Sequence, residues 1–362
     1  MSDRVFNFYA GPATLPLPVL EQAQGELLNF RGTGMSVLEI SHRSKDFEGV
    51  IFGAEKLVKE LLGIGEDFKV LFLQGGASTQ FSMIPMNFLL EGSTADYILT
   101  GSWSEKALKE AQKIGSTHIA ASTKEGNYKR IPEQKEIMLS ENPVYVHITS
   151  NNTIYGTQWQ EFPDTGSIPL VADMSSDMMS RPFDVSKFGV IYAGAQKNLG
   201  PAGVTLVIVR KDFLEKAQPP APTMLRYSTH AEKDSLYNTP PAFAIYIFNL
   251  VLKWLKDQGG LAGMEKINRE KAAYIYNMID QSNGFYKGHA DKDSRSLMNI
   301  TFTMGNADLE KAFAQEATAQ GFIGLKGHRS VGGLRASVYN AMPVEGCAAL
   351  ADFMKEFMRK NG

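Results

Sequence analysis

Cysteine is almost absent from this chain: Cys347 is the only one in 362 residues, so no intrachain disulfide can form. No charged-then-apolar leader opens the sequence. The longest apolar stretches, such as residues 241 to 252, are interrupted by Asn or Lys well before the roughly 20 residues that a membrane helix needs. We therefore expect a cytoplasmic protein without a membrane-spanning helix.

An excess of charge of either sign is also missing, since 37 Lys and Arg face 39 Asp and Glu, for a formal net charge of -2. Such a chain has no general attraction to nucleic acid or to an anionic membrane, so any anionic ligand must be held by local positive groups. Hydrophobic residues make up 43% and charged residues 21%, as in ordinary globular proteins. We expect no metal site.

The length favours two domains, because one compact core rarely extends over 362 residues. Short β-rich runs alternate with helical patterns from about residue 65 to 210, which predicts βαβ units and a mostly parallel, seven-stranded sheet. We expect a large α/β domain over residues 16–258, and a smaller α+β domain formed by residues 1–15 and 259–362. The predicted strands of the large domain cover residues 70–73, 97–100, 117–120, 144–149, 170–173, 189–193 and 204–209.

The remaining elements follow from helical periodicity and from glycine and proline. A helix is predicted over 104–114, with Ala107, Leu108, Ala111 and Ile114 on its apolar face. Pro219, Pro220 and Pro222 end the sheet-forming region, and Gly259-Gly260 marks a hinge. Helices are then predicted over 241–258, 261–281, 307–320 and at the end of the chain, and strands over 297–303 and 334–338.

Asp173 and Lys197 form the most informative pair. Asp173 ends an apolar strand, where α/β sheets present functional groups to a crevice, and a buried carboxylate there needs a cationic partner. Lys197 lies among small residues after another apolar strand, where a lysine is either a surface residue or a reactive amine. Together they can reach opposite ends of one planar ring, as pyridoxal phosphate requires: the Asp keeps the pyridine nitrogen protonated and the Lys forms the imine.

A glycine turn supplies a candidate phosphate cradle. In residues 71–80 (LFLQGGASTQ) a strand ends, Gly75 and Gly76 turn, and a helix begins with Ser78 in its first turn. Free backbone N–H groups at such a helix start suit an anion. Neither GxGxxG nor GxxxxGK[ST] is present, which disfavours nucleotide binding. Trp103, near the end of the next strand, is either a core residue or a stacking partner for the ring.

The motifs around these residues resemble those of the phosphoserine aminotransferases, in class V of the pyridoxal-phosphate transaminases. The resemblance covers nearly the whole chain and rests on residues 7–13 (NFYAGPA), 41–44 (SHRS), 173–182 (DMSSDMMSRP), 192–203 (YAGAQKNLGPAG) and 327–337 (GHRSVGGLRAS). It implies a fold-type-I pyridoxal-phosphate transferase.

The resemblance also implies roles for individual residues. Lys197 would carry the cofactor as a Schiff base, Asp173 would pair with its pyridine nitrogen, Trp103 would stack on its ring, and Thr153 would bond near the ring. The cofactor phosphate would lie against Gly76, Ala77, Ser78 and Gln196, and Asn238 and Thr239 would reach it from the partner subunit of a homodimer with shared active sites.

For the substrate, the resemblance places Arg335 on the α-carboxylate, with His42, Arg43, His328 and Arg329 as candidates for the distal phosphate or carboxylate. The implied reaction is the ping-pong transfer of an amino group between glutamate and 3-phosphohydroxypyruvate, giving 2-oxoglutarate and O-phosphoserine in serine biosynthesis. Lys197 would move the proton at the substrate Cα. A second reaction on a phosphorylated hydroxythreonine, in pyridoxine biosynthesis, stays open.

Other functions remain to be weighed. A class V relative could transaminate alanine and glyoxylate, or remove sulfur from cysteine with a mobile nucleophilic thiol. Cys347, however, lies at the start of an amphipathic helix and is expected to be packed. A non-catalytic α/β protein that binds a phosphorylated metabolite in the same positive pocket is the alternative from a different class.

Overall fold

A computed structural model describes residues 4–217 and 221–362. The predicted roles of Pro219 and Pro220 therefore lie outside the described residues. The helices are α1 (Leu17–Glu26), α2 (Lys45–Leu62), α3 (Gly76–Phe88), α4 (Ser102–Ala111), α5 (Lys211–Leu214), α6 (Tyr227–Glu232), α7 (Ala242–Asp257), α8 (Gly260–Asp280), α9 (Ala307–Ala319) and α10 (Val344–Asn361). The strands are β1 (Phe6–Asn7), β2 (Phe68–Leu73), β3 (Thr94–Leu99), β4 (Ser116–Ser122), β5 (Val146–Thr149), β6 (Asn151–Asn152), β7 (Thr157–Gln158), β8 (Leu170–Asp173), β9 (Phe188–Gly194), β10 (Thr205–Arg210), β11 (Lys287–Gly288), β12 (Asn299–Thr303), β13 (Phe322–Ile323) and β14 (Leu334–Ser337).

The central sheet has seven strands in the order β2-β10-β9-β8-β5-β3-β4. Strand β10 runs antiparallel to both of its neighbours, and the other neighbouring strands pair in parallel. The seven strands predicted from the sequence are all confirmed, as is the mostly parallel sheet. Parallel strands place their carboxyl ends along one edge, so the loops that follow β3, β5, β8 and β9 open on the same side.

Helices cover both faces of this sheet, which is why an inner strand such as β9 is buried along its whole length and mostly apolar. Neighbouring residues of β9 show the alternation: Ile191 belongs to a buried cluster with α1, α2 and α7, and Tyr192 to a buried cluster with α3 and α4. Helix α4 ends at Ala111, earlier than predicted. Ile114 was expected on its apolar face, but it lies beyond the helix end and is 43% exposed.

A third buried cluster contains Phe8 together with residues of α8, α9, α10 and the sheet β11-β12-β14. Strand β1 joins this part of the chain by pairing with β13 in parallel. The predicted boundary after residue 258 falls at the junction of α7 and α8, where Gly259 and Gly260 adopt φ angles of +89° and +64°. The division into two domains stays a prediction. No helix within the described ranges is long and apolar enough to span a membrane.

Candidate active site

Lys197 lies in the loop after β9, at the carboxyl edge of the sheet. Its Nζ donates a hydrogen bond to Thr153 Oγ1 at 2.7 Å and lies 5.5 Å from the centroid of the Trp103 ring. Burial lowers the pKa of Lys197 to about 8; the negative charge of Asp173 opposes this change, and the positive charge of Arg335 adds to it. A substantial fraction of the amine is therefore neutral near physiological pH, as a nucleophile or a base requires.

Asp173 is the buried last residue of β8 and accepts a hydrogen bond from Ser175 N at 2.9 Å. Burial raises the pKa of its carboxyl group, while Lys197 and Ser175 act in the opposite direction. No salt bridge to Asp173 occurs among the described residues. A buried carboxyl without a direct ionic partner is costly, and this one suits a ligand that brings its own N–H or positive charge.

The glycine turn before α3 is shaped as predicted. Gly75 and Gly76 have φ angles of +88° and +64°, and a Cβ on Gly75 would lie 1.9 Å from Thr79 Oγ1, so the turn has no room for a side chain there. No side chain of the described residues caps the start of α3, which leaves its first N–H groups, including those near Ala77 and Ser78, open to an anion. This opening fits a phosphate group.

Helix α3 packs on the strand that leads to Lys197, with the rings of Phe81 and Tyr192 in an edge-to-face contact at 6.2 Å. Ala77 and Trp103 pack against the same buried cluster. Gln196, next to Lys197, turns its side chain back over Gly194, where an added Cβ would lie 2.8 Å from Gln196 Oε1. The cradle and the lysine thus belong to one packed region.

Trp103 is the second residue of α4, and the start of this helix lies directly against the loop that carries Thr153. An added Cβ on Gly101 would lie 2.6 Å from Asn152 Oδ1, so only glycine allows this approach. The Nε1 atom of Trp103 is buried and has no hydrogen-bond acceptor within the described chain. An indole held beside Lys197, with an unused donor, fits a planar polar ligand.

Arg335, on β14, also lies beside Thr153. Its Nη1 donates to the Thr153 carbonyl at 3.3 Å, and its buried Nε has no acceptor in the part of the chain that the structure describes. Burial lowers the pKa of Arg335, and Tyr339 opposes this change. Burial also lowers the pKa of His328, and the positive charges of Arg335, Arg329 and Lys106 lower it further. Arg329 is exposed.

Four predicted site residues do not join this cluster within one chain. His42 and Arg43 precede α2, and their side chains approach each other at 3.3 Å. Asn238 donates to the Thr239 carbonyl at 3.2 Å and lines a cavity with Gly75 and Thr79. No hydrogen bond or ion pair among the described residues connects these four side chains to Lys197, Asp173 or Arg335. Their proposed contacts stay predictions.

The structure adds residues that the sequence interpretation missed. Tyr339 Oη donates to the Ala10 carbonyl at 2.7 Å. The next residue, Gly11, lies against Lys197, since a Cβ added to Gly11 would be 3.3 Å from Lys197 Cγ. Asn340 N donates to Asn198 Oδ1 at 2.9 Å, directly after the lysine. The chain around Lys197 is therefore held by the N-terminal segment on one side and by the residues after β14 on the other. In the sequence, only the motif at residues 7–13 indicated that the N-terminal segment belongs to the site.

Asp177 was also missed, although it lies in the motif that contains Asp173. It is buried, accepts a hydrogen bond from Gln158 Nε2 at 3.0 Å and contacts the Ser150 hydroxyl. Ser150 N in turn donates to the Asp173 carbonyl at 3.0 Å. Two acids spaced by four residues in a buried turn were the signal that could have identified it.

Comparison with known proteins places this site in context. The family model described as aminotransferase class-V matches residues 5–350. The chain is 63% identical to the phosphoserine aminotransferase of Herpetosiphon aurantiacus and 62% identical to that of Geobacillus kaustophilus, over 99% of each chain in both cases. The solved structure of phosphoserine aminotransferase from Bacillus circulans subsp. alkalophilus is 58% identical, covers both chains completely, and superimposes with a TM-score of 0.98.

Proposed function

The chain belongs to the class-V aminotransferase family, and we propose that it transfers an amino group between glutamate and 3-phosphohydroxypyruvate, giving 2-oxoglutarate and O-phosphoserine in serine biosynthesis. The fold is that of the fold-type-I enzymes of this family, which depend on pyridoxal phosphate. The observation that carries the proposal is the convergence of Lys197, Asp173 and Arg335 in a chain that shares about 60% of its residues, end to end, with phosphoserine aminotransferases.

The residues present fit the cofactor. Asp173 would hold the ring nitrogen, Trp103 and Thr153 would contact the ring, and Lys197 would form the covalent attachment. Gly76, Ala77, Ser78 and Gln196 would surround the phosphate at the open start of α3. When bound, pyridoxal phosphate withdraws electrons from the substrate Cα and carries the amino group from one substrate to the next.

Lys197 would move the proton in each half of the reaction. Its pKa of about 8 leaves part of the amine neutral near pH 7, so Nζ can accept the proton from the substrate Cα. The hydrogen bond to Thr153 fixes the position of Nζ, which favours transfer to one defined site. Asp173, buried and held by Ser175, would keep a proton at the ring nitrogen.

Arg335 would bind the α-carboxylate of either substrate. Its planar guanidinium can donate two parallel hydrogen bonds, and its unpaired Nε and lack of an ionic partner among the described residues leave it free to do so. His328 and Arg329, together with His42 and Arg43, would bind the distal group, which is a phosphate in one substrate and a carboxylate in the other.

We also propose that the enzyme is a homodimer with shared active sites. No hydrogen bond or ion pair among the described residues joins His42, Arg43, Asn238 or Thr239 to Lys197, which is expected if they complete the site of a partner. Exposed apolar side chains in the segment that precedes His42 support an interface there, since Leu28 and Leu38 are 83% and 63% exposed. The cytoplasmic location expected from the sequence stays a prediction.

The rival activities are less well supported. A desulfurase needs a mobile thiolate, but Cys347 is fully buried in α10 and burial raises its pKa to about 12. The alanine–glyoxylate aminotransferase of Nostoc sp. is 14% identical with a TM-score of 0.74, a likeness that extends to the fold alone.

The direct test is reconstitution with pyridoxal phosphate, followed by amino transfer from glutamate to phosphohydroxypyruvate and to unphosphorylated hydroxypyruvate. We expect a yellow protein that borohydride bleaches, and a clear preference for the phosphorylated acceptor. Lys197→Ala should lose nearly all turnover and retain its circular dichroism spectrum, whereas Lys187→Ala, at an exposed lysine, should behave as wild type. A colourless protein that binds phosphohydroxypyruvate without turnover would instead indicate a non-catalytic binding protein, and equal rates on both acceptors would refute the phosphate site.

A further inference from the structure

Lys106 is an exposed lysine that lies beside the candidate active site but has no role in it so far. It follows Trp103 by one turn of α4, and its Nζ lies 4.2 Å from the centroid of the Trp103 ring. The same ring lies 5.5 Å from Lys197 Nζ. A single indole therefore contacts both ammonium groups.

The position of Lys106 is not explained by ion pairing on its own helix. Glu110, four residues later, would be the usual partner, but it pairs with Lys113 at 2.7 Å. Glu105, the adjacent acid, pairs with Lys124 at 2.9 Å and contacts Tyr128. No carboxylate oxygen of residues 4–217 or 221–362 forms a salt bridge with Lys106. Its charge is thus left uncompensated by the protein.

Other positive groups lie near His328, as Lys106 does. Burial lowers the pKa of His328, and the charges of Arg335, Arg329 and Lys106 lower it further, so all three cations act on this imidazole. Val331, in the loop with His328, packs against the same buried cluster as Trp103. Several cations without an acidic partner among the described residues destabilise one another, and a multiply charged anion relieves that repulsion.

We propose that Lys106 is a specificity residue that binds the distal phosphate of the phosphorylated substrate. This inference rests on the proposed function. A phosphate carries close to two negative charges at pH 7 and a distal carboxylate carries one, so an added ammonium favours the phosphorylated substrate over glutamate. The cation–π contact with the Trp103 ring also restricts the position of the Lys106 ammonium before the substrate binds.

Three variants separate the charge from packing on the indole. Lys106→Met keeps a long apolar side chain on Trp103 and removes the charge, and Lys106→Arg keeps the charge. Lys109→Met is the matched control, since Lys109 is exposed on the same helix and forms no salt bridge with the described residues. The measurements are KM and kcat for O-phosphoserine and for glutamate, competition by inorganic phosphate, and the absorbance spectrum of the bound cofactor.

For Lys106→Met we expect KM for O-phosphoserine to rise about tenfold and KM for glutamate about threefold, with kcat nearly unchanged, as for the loss of one partly exposed charged contact. Inhibition by inorganic phosphate should weaken in parallel, Lys106→Arg should restore most of the loss, and Lys109→Met should match wild type. The cofactor spectrum should not change, because the charge acts on the substrate.

Three results would overturn this role for Lys106. An equal rise in KM for both substrates would show that Lys106 does not select between them. An altered cofactor spectrum would indicate that Lys106 only supports Trp103. Failure of Lys106→Arg to restore binding would exclude a role of charge. If the wild-type enzyme itself fails to use O-phosphoserine, the proposed function is wrong, a result distinguishable from a failure of Lys106 alone.

Discussion

Lys271 is a fully buried lysine whose ammonium contacts three backbone carbonyls just after β14. The donor–acceptor distances are 3.0 Å to Val338, 2.6 Å to Tyr339 and 3.3 Å to Asn340. Lys271→Met keeps the length of the side chain but leaves these carbonyls without that donor. Each unsatisfied buried polar group costs about 1 to 3 kcal/mol, and methionine regains part of this by removing a buried charge. We expect a net loss of about 3 kcal/mol in the free energy of unfolding.

Urea unfolding of the cofactor-free protein measures this loss, with Lys266→Met, at an exposed position on the same helix, as the control. Because Tyr339 donates to the Ala10 carbonyl and Asn340 N donates to the Asn198 side chain, both beside Lys197, the variant should also raise KM for glutamate. A variant as stable as wild type would refute the reasoning, since burial of the amine would then cost as much as its hydrogen bonds contribute.

The same substitution has a pH signature. Burial lowers the pKa of Lys271 to about 7 in the folded chain, below the value of 10.5 for an unperturbed lysine. Between these values the unfolded chain binds more protons than the folded one, so this lysine makes wild type more stable as the pH rises from 7 towards 10.5. The deficit of Lys271→Met relative to wild type should therefore grow between pH 7 and pH 10. A constant deficit would contradict the lowered pKa.

Three further predictions concern the candidate active site. The rate at which the cofactor-free chain takes up pyridoxal phosphate should rise with pH around a midpoint near 8 in stopped-flow absorbance, because burial lowers the pKa of Lys197; a midpoint above pH 10 would argue against it. Gly75→Ala should lower the free energy of unfolding in urea by about 2 kcal/mol and weaken cofactor binding, because Gly75 has a positive φ and an added Cβ would meet Thr79. The control is Gly49→Ala, inside α2 with open space around it, which should be neutral or stabilising. Arg335→Lys should raise KM for glutamate about tenfold in steady-state kinetics with a smaller change in kcat, since lysine keeps the charge but loses the planar pair of donors; an unchanged KM would remove Arg335 from the substrate site.

The inner strands of the sheet were predictable because they are buried on both faces and are therefore mostly apolar, as β9 is. Strands β8 and β9 begin and end within one residue of the predicted limits. The direction of β10 was not predictable, because a buried strand has the same composition whether it runs parallel or antiparallel to its neighbours. The end of α4 was predicted too late, since Ile114 has the spacing of the helical face but follows the residue where the helix stops.

Asp173 and Lys197 could be predicted as site residues, because each has a chemically informative side chain and follows or ends a strand of the sheet. Contacts between distant parts of the chain could not be predicted, and Tyr339 shows why. Its hydroxyl bonds to Ala10, which lies more than three hundred residues away in sequence, and no local pattern encodes that pairing. His42 and Asn238 show a different limit: no hydrogen bond or ion pair among the described residues joins them to Lys197, so their predicted roles stay predictions.

The distribution of charge explains how a chain with a net charge of -2 can select an anionic substrate. Some exposed cations pair with nearby acids, as Lys113 does with Glu110. Arg335 and Lys106 do not pair with any acid in the described residues, and they lie where the substrate is expected. Their uncompensated charges raise the positive potential at this place, and buried surroundings such as those of Arg335 strengthen it. Added salt should therefore weaken binding of O-phosphoserine more than binding of glutamate, and an equal effect on the two KM values would show that uncompensated charge does not set the preference.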